Sequence, residues 1–328
     1  MSDAAHPFSR LTPETILAAI ESVGMRCDGR LLALNSYENR VYQVGIEDGS
    51  PVIAKFYRPD RWSDAQIREE HAFAAELVED EVPVVAPLEI DGRKTLGVHG
   101  EFRFAVYPRR GGRAPELDRE DTLQWIGRFI ARIHRVGARK KFLKREKLSV
   151  ERLGVASRDF VLASGFVPAE LNESYARVSE LAIEAVRACF DHVGPVATLR
   201  LHGDCHAGNV LWTDDGPHFV DLDDACTGPA IQDLWMLLSG DRETRERQIT
   251  VVLEGYEMFR ELDRTEILLV EALRTLRMMH YAAWLARRWE DPAFPVAFPW
   301  FASPRYWQDH ILELREQVAA MDEAPLGA

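Results

Sequence analysis

The chain has 328 residues, 46% hydrophobic and 28% charged, a balance that excludes global disorder and low-complexity architectures. Such a length suits two domains or one large bilobed unit. Forty Lys and Arg against 53 Asp and Glu leave a net charge of −13, so overall charge draws the chain neither to nucleic acid nor to anionic lipid. No apolar run approaches the ~18 residues a membrane helix needs. The start, MSDAAHPFSRL, lacks the basic and apolar regions of a secretory signal. Cys27, Cys189, Cys205 and Cys226 form no CxxC pair or disulfide framework, which suits a reducing compartment. The resulting expectation is a cytoplasmic monomer with no nucleic-acid or membrane partner.

In chain order, Thr12 as N-cap with Pro13 at the first helical position predicts a helix that ends before Gly24. Leu31–Leu34, Arg40–Ile46 and Val52–Tyr57 are short, rich in β-branched and aromatic residues, and separated by turn residues. They predict a three-stranded antiparallel meander. Ser63 with Gln66 makes a capping box for a helix whose apolar stripe runs Ile67, Ala74, Leu77, Val78. Two more strands are expected at Val84–Ile90 and Phe102–Tyr107, and Pro108–Pro115 as a crossing segment. Beyond it, Thr122–Val136, Asn172–Phe190, Arg245–Arg260 and Thr265–Arg288 carry apolar residues at helical spacing. The fold class is therefore α+β: a small antiparallel β-sheet N-lobe with one key helix, residues 1–107, and a larger, mainly helical C-lobe, residues 108–328. The cleft between them is the expected ligand site.

One non-helical island, Leu199–Asp224, interrupts the helices and carries the chemistry. Val210–Thr213 and His218–Leu222 flank Asp214-Asp215-Gly216-Pro217 and predict a hairpin. Because Pro217 has no N–H, a four-residue loop pairing Thr213 with His218 is expected. Val210 then opposes Asp221 and Asn209 opposes Leu222, within one residue. Such a hairpin brings Asn209 and Asp221 side by side, an amide oxygen and a carboxylate suited to Mg²⁺. Asp204, on the preceding loop, faces the same point. A base, an amide and a carboxylate so arranged are what phosphoryl transfer requires.

His202-Gly203-Asp204-Cys205-His206-Ala207-Gly208-Asn209 resembles the HGDxxxxN catalytic loop of the aminoglycoside phosphotransferase and choline kinase-like branch of the protein-kinase superfamily. Phe219-Val220-Asp221-Leu222-Asp223 resembles that branch's form of the DFG metal motif. LNSYENRVYQ, KFYRPDRW, GPAIQDLWMLL and WEDPAFPVAFPW are similar to segments of the bacterial stress response kinase A family of Ser/Thr kinases. The resemblance implies a bilobed protein-kinase-like fold, ATP and Mg²⁺ as cofactors, and a protein substrate with a Ser/Thr acceptor. It implies Asp204 as catalytic base and Asn209 and Asp221 as metal ligands. Lys55 would hold the α- and β-phosphates, with Glu70 as its ion-pair partner and Glu69 as the competing choice. Ser36 would lie in the loop over ATP, and Phe104–Pro108 would form the hinge. No GxGxxG stands in that loop, so Asn35–Asn39 are expected to reach phosphates with side-chain oxygens. Gly203 stands where many protein kinases carry an arginine, and nothing resembles APE. Activation by loop phosphorylation is therefore not expected.

Other readings are weaker. The spacing of His202, Cys205 and His206 fits no structural zinc site. Asp223 is a candidate second-metal contact, Asp224 a solvated or capping carboxylate, and Asp233 a helix charge or a brace for the catalytic loop. Trp284, Trp289, Trp300 and Trp307 read mainly as packing, and Arg139–Lys147 as a solvated helix end. A small-molecule kinase of the aminoglycoside, homoserine or choline type is the alternative function, because the same catalytic island serves any hydroxyl. A phosphatase using Asp221 as nucleophile and a non-catalytic nucleotide-binding protein are further, less favoured rivals.

Overall fold

The computed structural model describes residues 6–92 and 94–326. Helix α1 (Pro13–Glu21) starts as expected: the Thr12 hydroxyl accepts the Thr15 amide at 3.3 Å, and Pro13 sits where no N–H is needed. β1 (Cys27–Ala33), β2 (Arg40–Ile46) and β3 (Val52–Phe56) form the antiparallel meander, with Leu31 opposite Val44 and Val41 opposite Lys55. Helix α2 (Asp64–Glu79) has its capping box in both directions, the Gln66 amide donating to Ser63 Oγ and the Ser63 amide to Gln66 Oε1. β4 (Gly97–His99) and β5 (Phe102–Pro108) complete a five-stranded sheet in the order β1-β2-β3-β5-β4. Its core joins Ile16 and Ile20 of α1 to Val44, Ala54, Phe56 and Phe104.

The strand expected at Val84–Ile90 is absent, and β4 lies later in the chain. Pro87 removes a donor from that segment, and Pro83 another immediately before it. Its remaining amides go elsewhere, Val85 N to Phe219 O of the other lobe and Leu88 N to Val106 O. It is an extended tie between lobes rather than a ladder strand.

The larger lobe contains α3 (Glu120–Gly137), a π-helical turn (Glu151–Val155) leading into α4 (Ala156–Ser164), and α5 (Asn172–Val193). The island follows as β6 (Leu199–Leu201), β7 (Val210–Thr213), β8 (Gly216–Phe219) and β9 (Cys226–Gly228). Helices α6 (Ile231–Trp235), α7 (Arg242–Tyr256), α8 (Val270–Arg288), α9 (Ala293–Ala297) and α10 (Pro304–Met321) close the chain. α3 and α7 cross at bare backbone: a Cβ on Gly127 would stand 2.2 Å from Val252 O, and one on Gly255 2.1 Å from Gln124 O. One core joins α3 and α7 to the island, and a second joins α5, α8 and α10 around Tyr175, Phe301 and Trp307.

The hairpin register differs from expectation by two residues. Thr213 pairs with Gly216 and Val210 with Phe219, so the loop is the two residues Asp214-Asp215. The missing Pro217 N–H costs nothing, because Pro217 opposes Trp212 in a non-hydrogen-bonded pair. Trp212 turns both backbone groups outward to Arg113, at 2.7 and 3.0 Å. Asn209 still meets the Asp221 segment, since its carbonyl accepts the Val220 amide at 3.0 Å.

The lobes are latched by buried charge. Asp291, between α8 and α9, accepts Arg40 through both oxygens at 2.8 Å and Arg58 at 2.6 Å. The cluster Arg139–Lys147 is also a tie rather than a free helix end. Arg139 and Lys140 pair with Asp80 and Glu76 of the smaller lobe. Arg145 is buried, stacked 4.1 Å from the Trp62 ring, and donates to the carbonyls of Asp223 and Ala225.

Candidate active site

β6 and β9 pair at Leu201–Cys226 and launch two loops toward the cleft, residues 202–209 and 221–225. The first is held from beneath by Asp233, which is fully buried. Its Oδ2 accepts the His202 amide and its Oδ1 the Gly203 amide, both at 2.8 Å, while His134 Nε2 lies 3.0 Å from Oδ2. His202 Nε2 donates to Val220 O at 2.9 Å and ties the two loops together. Gly203 has φ +85°, and a Cβ there would stand 2.1 Å from Asp224 O. Any side chain at 203, an arginine included, would collide with the metal-motif backbone.

Asp204 and Asn209 face each other across the loop. Asn209 Nδ2 donates to Asp204 O at 2.9 Å and to Asp204 Oδ2 at 3.2 Å, which leaves Asn209 Oδ1 available to a cation. Arg277 of α8 brings a guanidinium nitrogen 2.6 Å from Asp204 Oδ1. The contact is electrostatic rather than an aligned hydrogen bond, since Oδ1 has no hydrogen-bond partner. Burial pushes the Asp204 carboxyl up, but His206 and Arg277 outweigh it and hold the group well below the usual carboxylate range.

Asp221 adopts the left-handed conformation, φ 60° and ψ 64°, which an aspartate tolerates better than most residues. The turn swings its half-exposed side chain over β3, where Lys55 Nζ donates to Oδ1 at 2.7 Å. Lys55 also lies 3.3 Å from Asp223 Oδ1. Burial lowers the affinity of Lys55 for its proton, but Asp221 and Asp223 reverse this and raise its pKa, so the ammonium persists.

Of the two glutamates weighed as its partner, Glu69 is committed elsewhere: it accepts the amides of Leu143, Lys144 and Arg145 at 2.6–2.8 Å. Glu70 is buried and lines the same cavity as Lys55. The expected Lys55–Glu70 ion pair is not formed. The lysine turns instead to Asp221 and Asp223, the two carboxylates of the opposite lobe. Burial, largest of the causes and only partly offset by Lys55, pushes the Glu70 carboxyl up to about 7. The folded protein thus binds a proton that the unfolded chain releases near pH 4.5. That contribution is complete below pH 4.5 and is lost as pH rises toward 7, an effect on the order of 3 kcal/mol. Glu70→Gln is expected to flatten this loss. Denaturant titrations of both proteins from pH 4.5 to 8 would give parallel stability curves if Glu70 were ionised throughout.

Asp223, a candidate second-metal contact from sequence, is occupied by cations of the protein. Lys55 takes Oδ1, while Arg61 and the Asn39 amide (3.1 Å) take Oδ2. Asn39 Oδ1 accepts the Arg58 amide at 3.1 Å, and Glu38 faces Arg58, Arg61, Arg288 and the Trp284 indole. Two of the loop side chains expected to reach phosphate therefore hold the lobes together instead. Ser36, with its hydroxyl donating to Asn39 O at 3.1 Å, and Asn35 remain on the cavity wall. Asp224 is exposed and pairs with Arg61 at 2.6 Å.

These groups line one interlobe cavity of about 920 Å³. Val41, Ile53, Val85, Tyr107 and Leu211 give the cavity its apolar lining beside the segment expected as the hinge. Asp204, Arg277, Tyr281, Trp284 and Phe298 line another part of the cavity. Trp307 is core, whereas Trp284 faces the cleft. Among the described residues no group of three or more His, Cys, Asp or Glu could hold a metal. Asn209 Oδ1 with Asp221 is nevertheless a fitting set for Mg²⁺, which takes few protein ligands and completes its shell with phosphate and water. Arg61, Arg277 and Asp291 had no role from sequence, and Glu38 had one only as a member of the loop over ATP. YENRVYQ, KFYRPDRW and WEDPAF marked three of their segments, but nothing local revealed that these charges are buried against one another.

A bilobed α+β frame with a lysine, two aspartates and an asparagine around one cleft defines a kinase-like phosphotransferase. The family model for the phosphotransferase enzyme family matches residues 30–268. Stress response kinase A of Salmonella choleraesuis is 46% identical over 326 residues, covering 99% of this chain and 98% of that protein. The Escherichia coli K12 protein of that name is 45% identical over the same length and coverage. Serine/threonine protein kinase RdoA of Salmonella typhimurium is 46% identical, again over 99% and 98% of the two chains. The chain belongs to the phosphotransferase enzyme family and, within it, to the stress response kinase A family. Among solved structures, an amicoumacin kinase in complex with AMP-PNP and Ca²⁺ shares the fold at TM-score 0.71 and 18% identity, covering 93% and 92% of the chains. Spectinomycin phosphotransferase in complex with ADP and spectinomycin does so at 0.68 and 14%, covering 94% and 98%.

Proposed function

We propose that the protein is an ATP- and Mg²⁺-dependent protein serine/threonine kinase of a bacterial stress response, acting as a cytoplasmic monomer without a nucleic-acid or membrane partner. The observation that carries the reading is the convergence of Lys55, Asp204, Asn209 and Asp221 on one cavity, together with near-full-length relatives named as stress response and serine/threonine kinases. No described helix is long and apolar enough to cross a membrane.

Asp204 orients the acceptor hydroxyl and receives its proton, Lys55 fixes the phosphate tail, and Ser36 and Asn35 cover it. Asn209 and Asp221 would hold Mg²⁺, which supplies charge neutralisation on the phosphates when bound. Because Asp204 is held ionised, acid loss of activity begins well below neutrality, as far as this group decides it. Residues 221–233 contain one hydroxyl, Thr227, whose backbone is paired to Arg200 of β6 and bonded to Glu146 and Leu148. That leaves no free activation loop to phosphorylate.

The test is transfer of γ-labelled phosphate from ATP by the full chain, with and without chelator, to Ser/Thr peptides and to a panel of small alcohols. Label on Ser or Thr that disappears with the chelator is the expected result. Label confined to small alcohols would overturn the protein-kinase assignment.

A further inference from the structure

The part of the cleft around Asp204 carries positive charge that the catalytic groups do not use. Arg277, His280, Tyr281 and Trp284 recur at three- and four-residue steps along α8 and so share its cavity-facing side. The π-helical turn that packs on α8 adds Arg152 to the same wall. Arg152 is partly buried, its Nε has no hydrogen-bond partner, and no carboxylate pairs with it among the described residues. The adjacent Glu151 turns away to Arg187. A guanidinium in a cleft without a counter-ion is costly unless a ligand supplies one. This is notable in a chain of net charge −13, where carboxylates outnumber cations and Arg40, Arg58, Arg61 and Arg288 of the latch each pair with one.

Arg277 gives the second half of the pattern. It rests against Asp204 Oδ1 without an aligned hydrogen bond, on the carboxylate oxygen that Asn209 leaves free. Its side chain is 42% exposed, so it is free to swing.

We propose that Arg152 and Arg277 form a specificity subsite for an anionic group next to the accepting hydroxyl, a carboxylate or phosphate within a few bonds or one or two residues of it. Binding of that anion draws Arg277 off Asp204 and opens the oxygen to the hydroxyl, so recognition and access to the base are coupled. Arg152 is a binding residue in this scheme and Arg277 a positioning residue. A polycationic acceptor would meet both guanidiniums head on and be disfavoured. The inference deepens the kinase reading and rests on it for the phosphoryl donor. The neighbour preference it predicts applies to a peptide and to a small acceptor alike.

Four acceptor sets separate the two claims: serine peptides flanked by Glu, the same peptides flanked by Lys, hydroxy acids, and amino alcohols. Which carrier is labelled tests the protein-kinase assignment. Which neighbouring charge is preferred tests the subsite. The wild-type enzyme is expected to favour the acidic member of whichever pair it uses by roughly tenfold or more in kcat/KM. Arg152→Glu is expected to reduce the acidic-to-basic ratio by roughly a hundredfold, mainly through KM, and Arg152→Lys to restore part of it. Arg277→Ala is expected to narrow the same ratio. Equal use of both charges by the wild type, a preference for the basic acceptor, or an Arg152→Glu loss identical for all acceptors would each overturn the proposal. The first two need no variant to fold.

Discussion

Asp204→Asn is expected to lower turnover by about a thousandfold while leaving ATP affinity within a few-fold of wild type. The substitution keeps the shape of the side chain but removes the carboxylate that attracts Arg277 and that, in the proposed reading, aligns the hydroxyl. Proton acceptance by a positioned group contributes roughly 10²–10⁴ in rate, and the asparagine offers none of it. In the proposed reading, nucleotide binding depends on the apolar lining beside the hinge and on Lys55, neither of which touches Asp204. Turnover and calorimetric ATP affinity, measured on the same preparation, separate the two effects. A variant retaining more than a tenth of wild-type turnover would remove Asp204 from its role as base.

Asp233→Ala should produce the largest loss of stability, roughly 4 kcal/mol. The carboxylate is fully buried and satisfies the amides of His202 and Gly203 while facing His134 Nε2. Each buried donor left without an acceptor costs about 1–3 kcal/mol, and the carboxylate being replaced is fully buried. Gly203, at φ +85° against the Asp224 carbonyl, is a conformationally free position, so the loop has little reason to keep its shape once the brace is gone. The denaturant midpoint should fall with an unchanged slope. Loss of activity at temperatures where the variant remains folded would show that the brace sets the position of Asp204 as well. A midpoint unchanged within error would mean the loop is held by other contacts.

How much of this was legible beforehand depends on the range of the interactions. Local signals worked: Thr12-Pro13 and Ser63–Gln66 start their helices by contacts within three residues, and the meander follows from alternation and turns. Signals that needed a partner failed. Val84–Ile90 has strand-forming side chains, yet with Pro83 before it and Pro87 within it, its amides go to two different lobes. The expected hairpin register lies two residues out because it places Pro217 opposite a hydrogen-bonding site, whereas Trp212 faces it with both backbone groups turned to Arg113. For Lys55 the nearest helix offers a glutamate, but the low-dielectric cleft sets its charge against Asp221 and Asp223 from across the chain.

The amino-acid order by itself determined the two-lobed α+β plan and marked the candidate catalytic loop and the candidate metal motif, because each is written in residues close together in the chain. Only the tertiary structure decided which charges were buried together: Arg58 and Arg40 on Asp291, Glu38 among three arginines, Asp223 beneath Lys55, and Arg152 left unmatched. The physical reason is that pairing energy depends on separation and on exclusion of water, and both are fixed only once the lobes close.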